Sequence, residues 1–219
     1  MKASNNHKER QIIEAAKKVF FEQGFQKTKM EDIAKAAACS KVTVYSYFES
    51  KENLYMAITY DAFQFLADTY YQSVEANKEK SGLESLLAIA KAYLDFCTKH
   101  APYSDLIFNY RTIIRDSLAG EQMDKISEAM KSSIYYRKIR DIQFLPIKIA
   151  TEEIKRGQLD GSITNDANPY LIHHLMWSNV VGFVNLNLNP KAEVFIQVKV
   201  QEWRAYILRI VKAVCLGKV

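Results

Sequence analysis

A chain of 219 residues with 48% apolar and 12% aromatic side chains can bury a sizeable core, and its seven Gly and four Pro are too few turn formers for an all-β fold. No window nears 18 uninterrupted apolar residues and the first eleven residues hold no apolar run, so a membrane span and a secretory signal are not expected and a cytoplasmic protein is. The cysteines, Cys39, Cys97 and Cys215, are odd in number and widely spaced, which argues against a disulfide framework or a zinc site, and the net charge of +5 is modest.

In chain order, Lys2, His7, Lys8 and Arg10 form a basic tail, expected to be disordered in the free protein. The periodicity then predicts a first helix over about residues 8–23, with Ile12, Ile13, Ala16, Val19 and Phe20 on one face and Gly24 as its C-cap. Thr28 followed three residues later by Glu31 reads as a capping box, which predicts a second helix from near Lys29 with Met30, Ile33, Ala34 and Ala37 inward. Ser40 is a second N-cap candidate, opening a helix over 41–48 whose Val44 and Phe48 face inward. Lys41, Thr43, Tyr45, Ser46 and Tyr47 are left outward, and hydroxyls with a cation suit phosphate oxygens and base edges in a major groove. Two short helices with a tight break form a helix-turn-helix. Ser50 caps a long fourth helix, which carries Lys51 in its first turn and Leu54, Phe63, Leu66 and Tyr70 on to about Asn77. Residues 1–57 hold ten Lys or Arg against seven Asp or Glu, a balance that agrees with a nucleic-acid partner without requiring one.

Residues 8–60 resemble the N-terminal DNA-binding domain of the TetR family of transcriptional regulators. The motifs that carry the resemblance are Val19 to Phe25, the Thr28 cap, Asp32-Ile33-Ala34, Ser40-Lys41, Tyr45 to Phe48, and Ser50 to Leu54. It implies an all-α protein, with a helix-turn-helix DNA-binding domain over 1–50 joined to a helical ligand-binding and dimerisation domain over 51–219, the helix 51–77 linking them. It places DNA contacts at Thr28, Lys29, Lys41, Val42, Thr43, Tyr45, Ser46, Tyr47 and Lys51. Two positions depart from the family pattern: Ala38 stands where a turn Gly is common, and Val42 where a small residue is. Ala38 therefore either adopts an unstrained turn or carries a strain of roughly 1 kcal/mol.

Beyond Ser81, turn signals at 81–82, 101–102, 119–120, 157–161 and 189–190 divide the chain into helical segments over 83–100, 103–118, 121–156, 169–188 and 191–216, with Pro146 expected to kink or divide the third. The last two segments are apolar on more than one face, Val181 and Ile207 among the positions expected outward, so a homodimer built through them is expected. Tyr93, Phe96, His100, Phe108, Arg111, Tyr136, Arg140, His174 and Trp177 are the candidates for lining a small-molecule pocket, together with Tyr110, Tyr135 and Phe144. Adjacent His173 and His174 point about 100° apart on a helix and cannot share an ion. No catalytic motif occurs, and neither enzyme activity, metal nor cofactor is expected. The reading is a dimeric regulator, a repressor released from a palindromic operator by a small amphipathic or aromatic ligand. A helical protein-interaction module or a constitutive DNA binder are the competing readings.

Overall fold

The computed structural model describes residues 2–118, 131–187 and 198–218, and every regular element among them is a helix. These are α1 (Lys2–Gln23), α2 (Met30–Ala36), α3 (Lys41–Tyr47), α4 (Lys51–Ala76), α5 (Gly82–Lys99), α6 (Ala101–Leu118), α7 (Ile134–Ile142), α8 (Leu145–Leu159), α9 (Pro169–Asn187) and α10 (Val200–Cys215). The turn signals at 119–120 and 189–190, and the first parts of the segments expected from 121 and 191, lie outside the described residues.

Several starts follow from local chemistry. Ser40 Oγ accepts the Thr43 N–H at 3.0 Å, Ser50 Oγ accepts that of Asn53 at 3.1 Å, and Ser81 pairs with Glu84 in a reciprocal box. Gly24 closes α1 at φ +81°, its N–H donating to the Phe20 carbonyl at 2.9 Å. Two expectations need correction. The basic tail is helical from Lys2 rather than disordered. The cap of α2 is Lys29, not Thr28: the Asp32 carboxylate accepts the Lys29 N–H at 3.0 Å, while buried Thr28 turns its hydroxyl back to the Gly24 carbonyl at 2.8 Å. Pro146 divides the third predicted segment, as expected, by standing in the first turn of α8, where its missing N–H leaves no bond unmade.

The chain packs as two compact units, Met1–Gln64 with Pro102–Gln143, and Phe65–Ala101 with Phe144–Val219. In the first unit α6 and α7 set side chains against α4 and α1. In the first unit Ile12, Ile33, Val44, Leu54 and Ile58 are fully buried, and the Phe63 ring on α4 meets Tyr110 of α6 edge-on at 5.6 Å. Each such side chain contributes about 1.5–3 kcal/mol on burial. Phe20, Phe25 and Tyr55 form a further aromatic contact joining α1, the following loop and α4.

In the second unit α5 packs against α8, α10 and α9. Gly82 lies so close to α8 that a Cβ there would come within 2.2 Å of the Gly157 nitrogen, which only glycine permits. The same crossing is fixed by Gly82 and Leu83 N–H groups donating to Asp160 Oδ2 at 2.7 Å and Ser162 Oγ at 3.1 Å. Arg204 of α10 pairs with Asp95 of α5, and Asn165 bonds the end of α10 through the Cys215 and Val214 carbonyls at 3.0 and 2.8 Å.

Candidate nucleic-acid interface and apolar cavity

The turn between α2 and α3 decides how the short α3 is presented. Ala37 closes α2, the Ala38 N–H donates to the Lys35 carbonyl at 3.1 Å and the Cys39 N–H to that of Ala34 at 3.0 Å. This is a Schellman motif, which needs a left-handed residue at its centre, and Ala38 supplies it at φ +47°. The strained alternative is therefore the one adopted. Gln11 Nε2 donates to the Ala37 carbonyl at 2.9 Å, tying α1 to the same turn.

From this base α3 buries Val44 and turns the opposite face outward. Val42 is 79% and Tyr45 43% exposed, Lys41 and Ser46 are exposed, and Thr43 and Tyr47 half-buried. Thr43 Oγ1 and Ser40 Oγ lie 2.8 Å apart, and Ser46 Oγ donates to the Thr43 carbonyl at 2.7 Å, so these hydroxyls keep acceptor capacity outward. The Lys41 ammonium pairs with Glu31 of α2, and the hydrogen bond holds the Glu31 carboxyl below its usual range. It also lies 5.7 Å from the Tyr45 ring centre. Lys29, at the exposed start of α2, stands on the described surface beside them in sequence.

Two residues expected at this surface are placed differently. Thr28 is 2% exposed and spends its hydroxyl inside, so it presents nothing outward. Lys51 Nζ donates to the Phe25 and Thr28 carbonyls at 2.8 and 3.1 Å and sits 4.4 Å above the Phe25 ring. It clasps the loop between α1 and α2, with one N–H remaining for another acceptor.

The second unit holds a small apolar cavity of about 30 Å³ lined by Tyr70, Leu86, Ile89, Ala90, Tyr93, Ala150, His173, Met176, Trp177, Val180 and Val211. Of the residues expected in a pocket, it brings together Tyr93 and Trp177. Phe96 packs between Phe65 and His100 instead, with ring centres 5.4 and 6.0 Å away. Phe108, Tyr110, Arg111, Tyr135, Tyr136 and Arg140 belong to the other unit, and Phe144 is 64% exposed. His174 is exposed, its Nδ1 bonded to the Tyr170 carbonyl at 2.6 Å, and the neighbouring His173 turns inward. Sequence spacing shows that the two histidines diverge but not which one the core takes. Among the described residues no three His, Cys, Asp or Glu side chains are grouped as metal ligands, and no helix is long and apolar enough to cross a membrane.

On α9, Leu171, Leu175 and Leu186 are 54%, 46% and 58% exposed, and Tyr206 on α10 is 53% exposed. Leu171 and Leu175 are one turn apart, so they share a face. Of the two positions expected outward, Val181 is half-buried and Ile207 is buried at 4%, because it lies on the inner stripe of α10 with Val211 and Val214.

Comparison with known proteins agrees with this arrangement. Residues 12–58 match the family model described as bacterial regulatory proteins, tetR family. The transcriptional activator FasR of Mycolicibacterium smegmatis is 26% identical over 125 residues, 57% of this chain and 56% of that protein. The chain spans about half the length of the curated relatives it matches. The TetR family regulator PfmR of Thermus thermophilus is similar with a TM-score of 0.59 at 19% identity, over 92% of this chain and 97% of that one. FadR of Bacillus subtilis, solved with stearoyl-CoA, gives 0.58 at 18% identity over 96% and 98%. These likenesses show a shared all-helical fold. Residues 12–58 are therefore similar to the helix-turn-helix domain of bacterial regulatory proteins of the tetR family, within an all-helical fold shared with solved TetR-family regulators.

Proposed function

We propose that the protein is a dimeric, sequence-specific DNA-binding repressor, released from a palindromic operator by a small amphipathic ligand. The observation that carries the reading is the outward face of α3, where Val42 and Tyr45 stand exposed beside Lys41 on a helix fixed by the Ser40 cap and the Ala38 turn. An apolar side chain exposed to this degree on a short helix contributes nothing to the core, but suits a thymine methyl or the floor of a groove. Lys29 and Lys41 supply phosphate cations, Lys51 adds its remaining N–H, and Tyr45, Ser46 and Tyr47 approach the bases.

One α3 reads only a few base pairs, so a palindrome read by two copies fits the exposed leucine face of α9 as the dimer contact. The effector reading rests on the cavity around Tyr93 and Trp177. At about 30 Å³ it holds little more than a water, so a ligand enters only by opening it. The complex of the similarly folded FadR with stearoyl-CoA favours a ligand with a long apolar part. A ligand that prefers one conformation of α4 shifts the spacing of the two α3 helices, and a coupling of roughly 1–3 kcal/mol weakens DNA binding about 5- to 150-fold.

Selection from random DNA tests the reading. A palindromic motif is expected for the wild type and an altered one for Tyr45→Ala; no enriched motif would leave a protein-interaction module. For the effector, any ligand found by thermal shift is titrated with and without operator. Reciprocity requires the same factor in both directions. Equal ligand affinity would leave a constitutive DNA binder.

A further inference from the structure

α3 has seven residues, too short to hold its own direction, and its inner face offers only Val44 and, at its end, Phe48. What Phe48 touches therefore adds to the Ser40 cap and the packing on α2 in deciding how α3 lies. That partner comes from outside the helix-turn-helix. The Tyr135 ring on α7 stacks on Phe48 with centres 6.3 Å apart and planes at 23°, and lies 5.8 Å from Tyr60 of α4. Its hydroxyl donates to Glu9 Oε1 of α1 at 2.6 Å. Lys138, one turn on, places its ammonium 4.7 Å over the Tyr135 ring and 5.4 Å over that of Tyr60. α7 itself is held by the Ser133 cap, which accepts the Tyr135 N–H at 3.2 Å, and by fully buried Ile139. Tyr135 is 9% exposed and its acceptor Glu9 half-buried, and a hydrogen bond to a carboxylate is stronger than one between neutral groups. Burial and the Glu9 carboxylate raise the phenol well above its usual range, so it remains a donor at any working pH.

We propose that Tyr135 is a positioning residue for DNA reading, pinned by Glu9 so that its ring fixes the end of α3 against α1 and α4. The proposal rests on the reading of α3 as the DNA-contacting helix. It makes α7 a working part of the reading head, although sequence places α7 among the body helices. Recognition tolerates displacements of only about 0.5 Å or 10–20° in the groups that read a site. Contacts to phosphate, made by long flexible cations, tolerate more. Loosening Tyr135 should therefore lower affinity for the correct site while sparing random DNA.

The test uses the full chain and the operator obtained by selection. Tyr135→Phe keeps the ring and removes only the hydroxyl, Glu9→Ala removes the acceptor, and Glu9→Gln keeps one. Tyr135→Phe and Glu9→Ala are each expected to lose roughly fivefold in operator affinity, the effect of one hydrogen bond, with random-sequence affinity and the salt slope unchanged. The double variant should be no worse than either single one, and Glu9→Gln should recover to within about twofold of wild type. Wild-type operator affinity in both Tyr135→Phe and Glu9→Ala would overturn the proposal, as would an equal loss on operator and random DNA. If Tyr135→Phe fails to fold, by its circular dichroism melt, Glu9→Ala and Glu9→Gln carry the same comparison. Tyr45→Ala separates the two levels of inference: if it leaves sequence preference unchanged, the reading of α3 fails, whereas if it alters preference and Tyr135→Phe does not alter affinity, only the positioning role fails.

Discussion

Replacing Ala38 by Gly should stabilise the protein, against the usual direction of such a change. Ala38 sits at φ +47° in the centre of the Schellman turn, where a side chain crowds the following carbonyl at a cost of about 1–2 kcal/mol that glycine does not carry. Glycine loses more backbone freedom on folding, which takes back about 0.4–1 kcal/mol. The Ala38 methyl is exposed, so its removal sacrifices almost no burial. The balance is a gain of roughly 0.5–1 kcal/mol, or about 1–4 °C in a chain of this size. Urea denaturation reads it as a higher midpoint at unchanged slope. Ala38→Val should move the other way, since a β-branched side chain is still less tolerant of positive φ. A Gly variant less stable than wild type, or a Val variant equal to it, would mean that the turn is not left-handed in solution.

Lys51→Ala removes two hydrogen bonds to the Phe25 and Thr28 carbonyls, and should cost about 1–2 kcal/mol in urea denaturation; an unchanged midpoint would deny the clasp. Its salt slope for DNA should fall by about 0.9 per subunit only if the remaining N–H also grips a phosphate. Leu171→Glu with Leu175→Glu should give folded monomers in sedimentation, whereas Ile207→Glu should unfold the chain by burying an unpaired carboxylate; a double variant still dimeric at micromolar concentration would place the interface elsewhere. Burial pushes the Cys215 thiol up from 9.0 to about 12 and raises the phenols of Tyr110 and Tyr135. Between about pH 9 and 12 the unfolded chain releases these protons and the folded one keeps them, so stability present below pH 9 should decline by up to about 1.4 kcal/mol per pH unit for each group ionised only when unfolded. A flat denaturation profile from pH 8 to 11 would contradict this.

What the sequence discloses about this protein is mostly what neighbouring residues settle among themselves. Ser40 and Ser50 cap the helices that they were expected to open, because a cap is a bond between a side chain and a backbone group two or three residues away. Thr28 was misread for the same reason. Thr28 with Glu31 and Lys29 with Asp32 offer overlapping boxes, and the burial of Thr28 under Lys51, which separates them, is a contact across 23 residues. Of the pocket candidates Tyr93 and Trp177 line the cavity, and an aromatic residue on an inward stripe does not declare whether it borders a cavity, as Trp177 does, or packs between other rings, as Phe96 does. The stacking of Tyr135 on Phe48 is not legible either, because nothing local reveals that α7 packs against α3.

The bond between Glu9 and Tyr135 spans 126 residues, and that separation sets an order of events during synthesis. At about 5–20 residues per second the ribosome takes roughly 6–25 seconds to deliver Tyr135 after Glu9. Through that interval α1, α2 and α3 can form with the end of α3 unsupported and Phe48 and Tyr60 lacking the ring that later covers them. A nascent or truncated chain stopped before α7 therefore carries every residue of the helix-turn-helix without the brace that aims it. The reading head is complete only once α7 has been made.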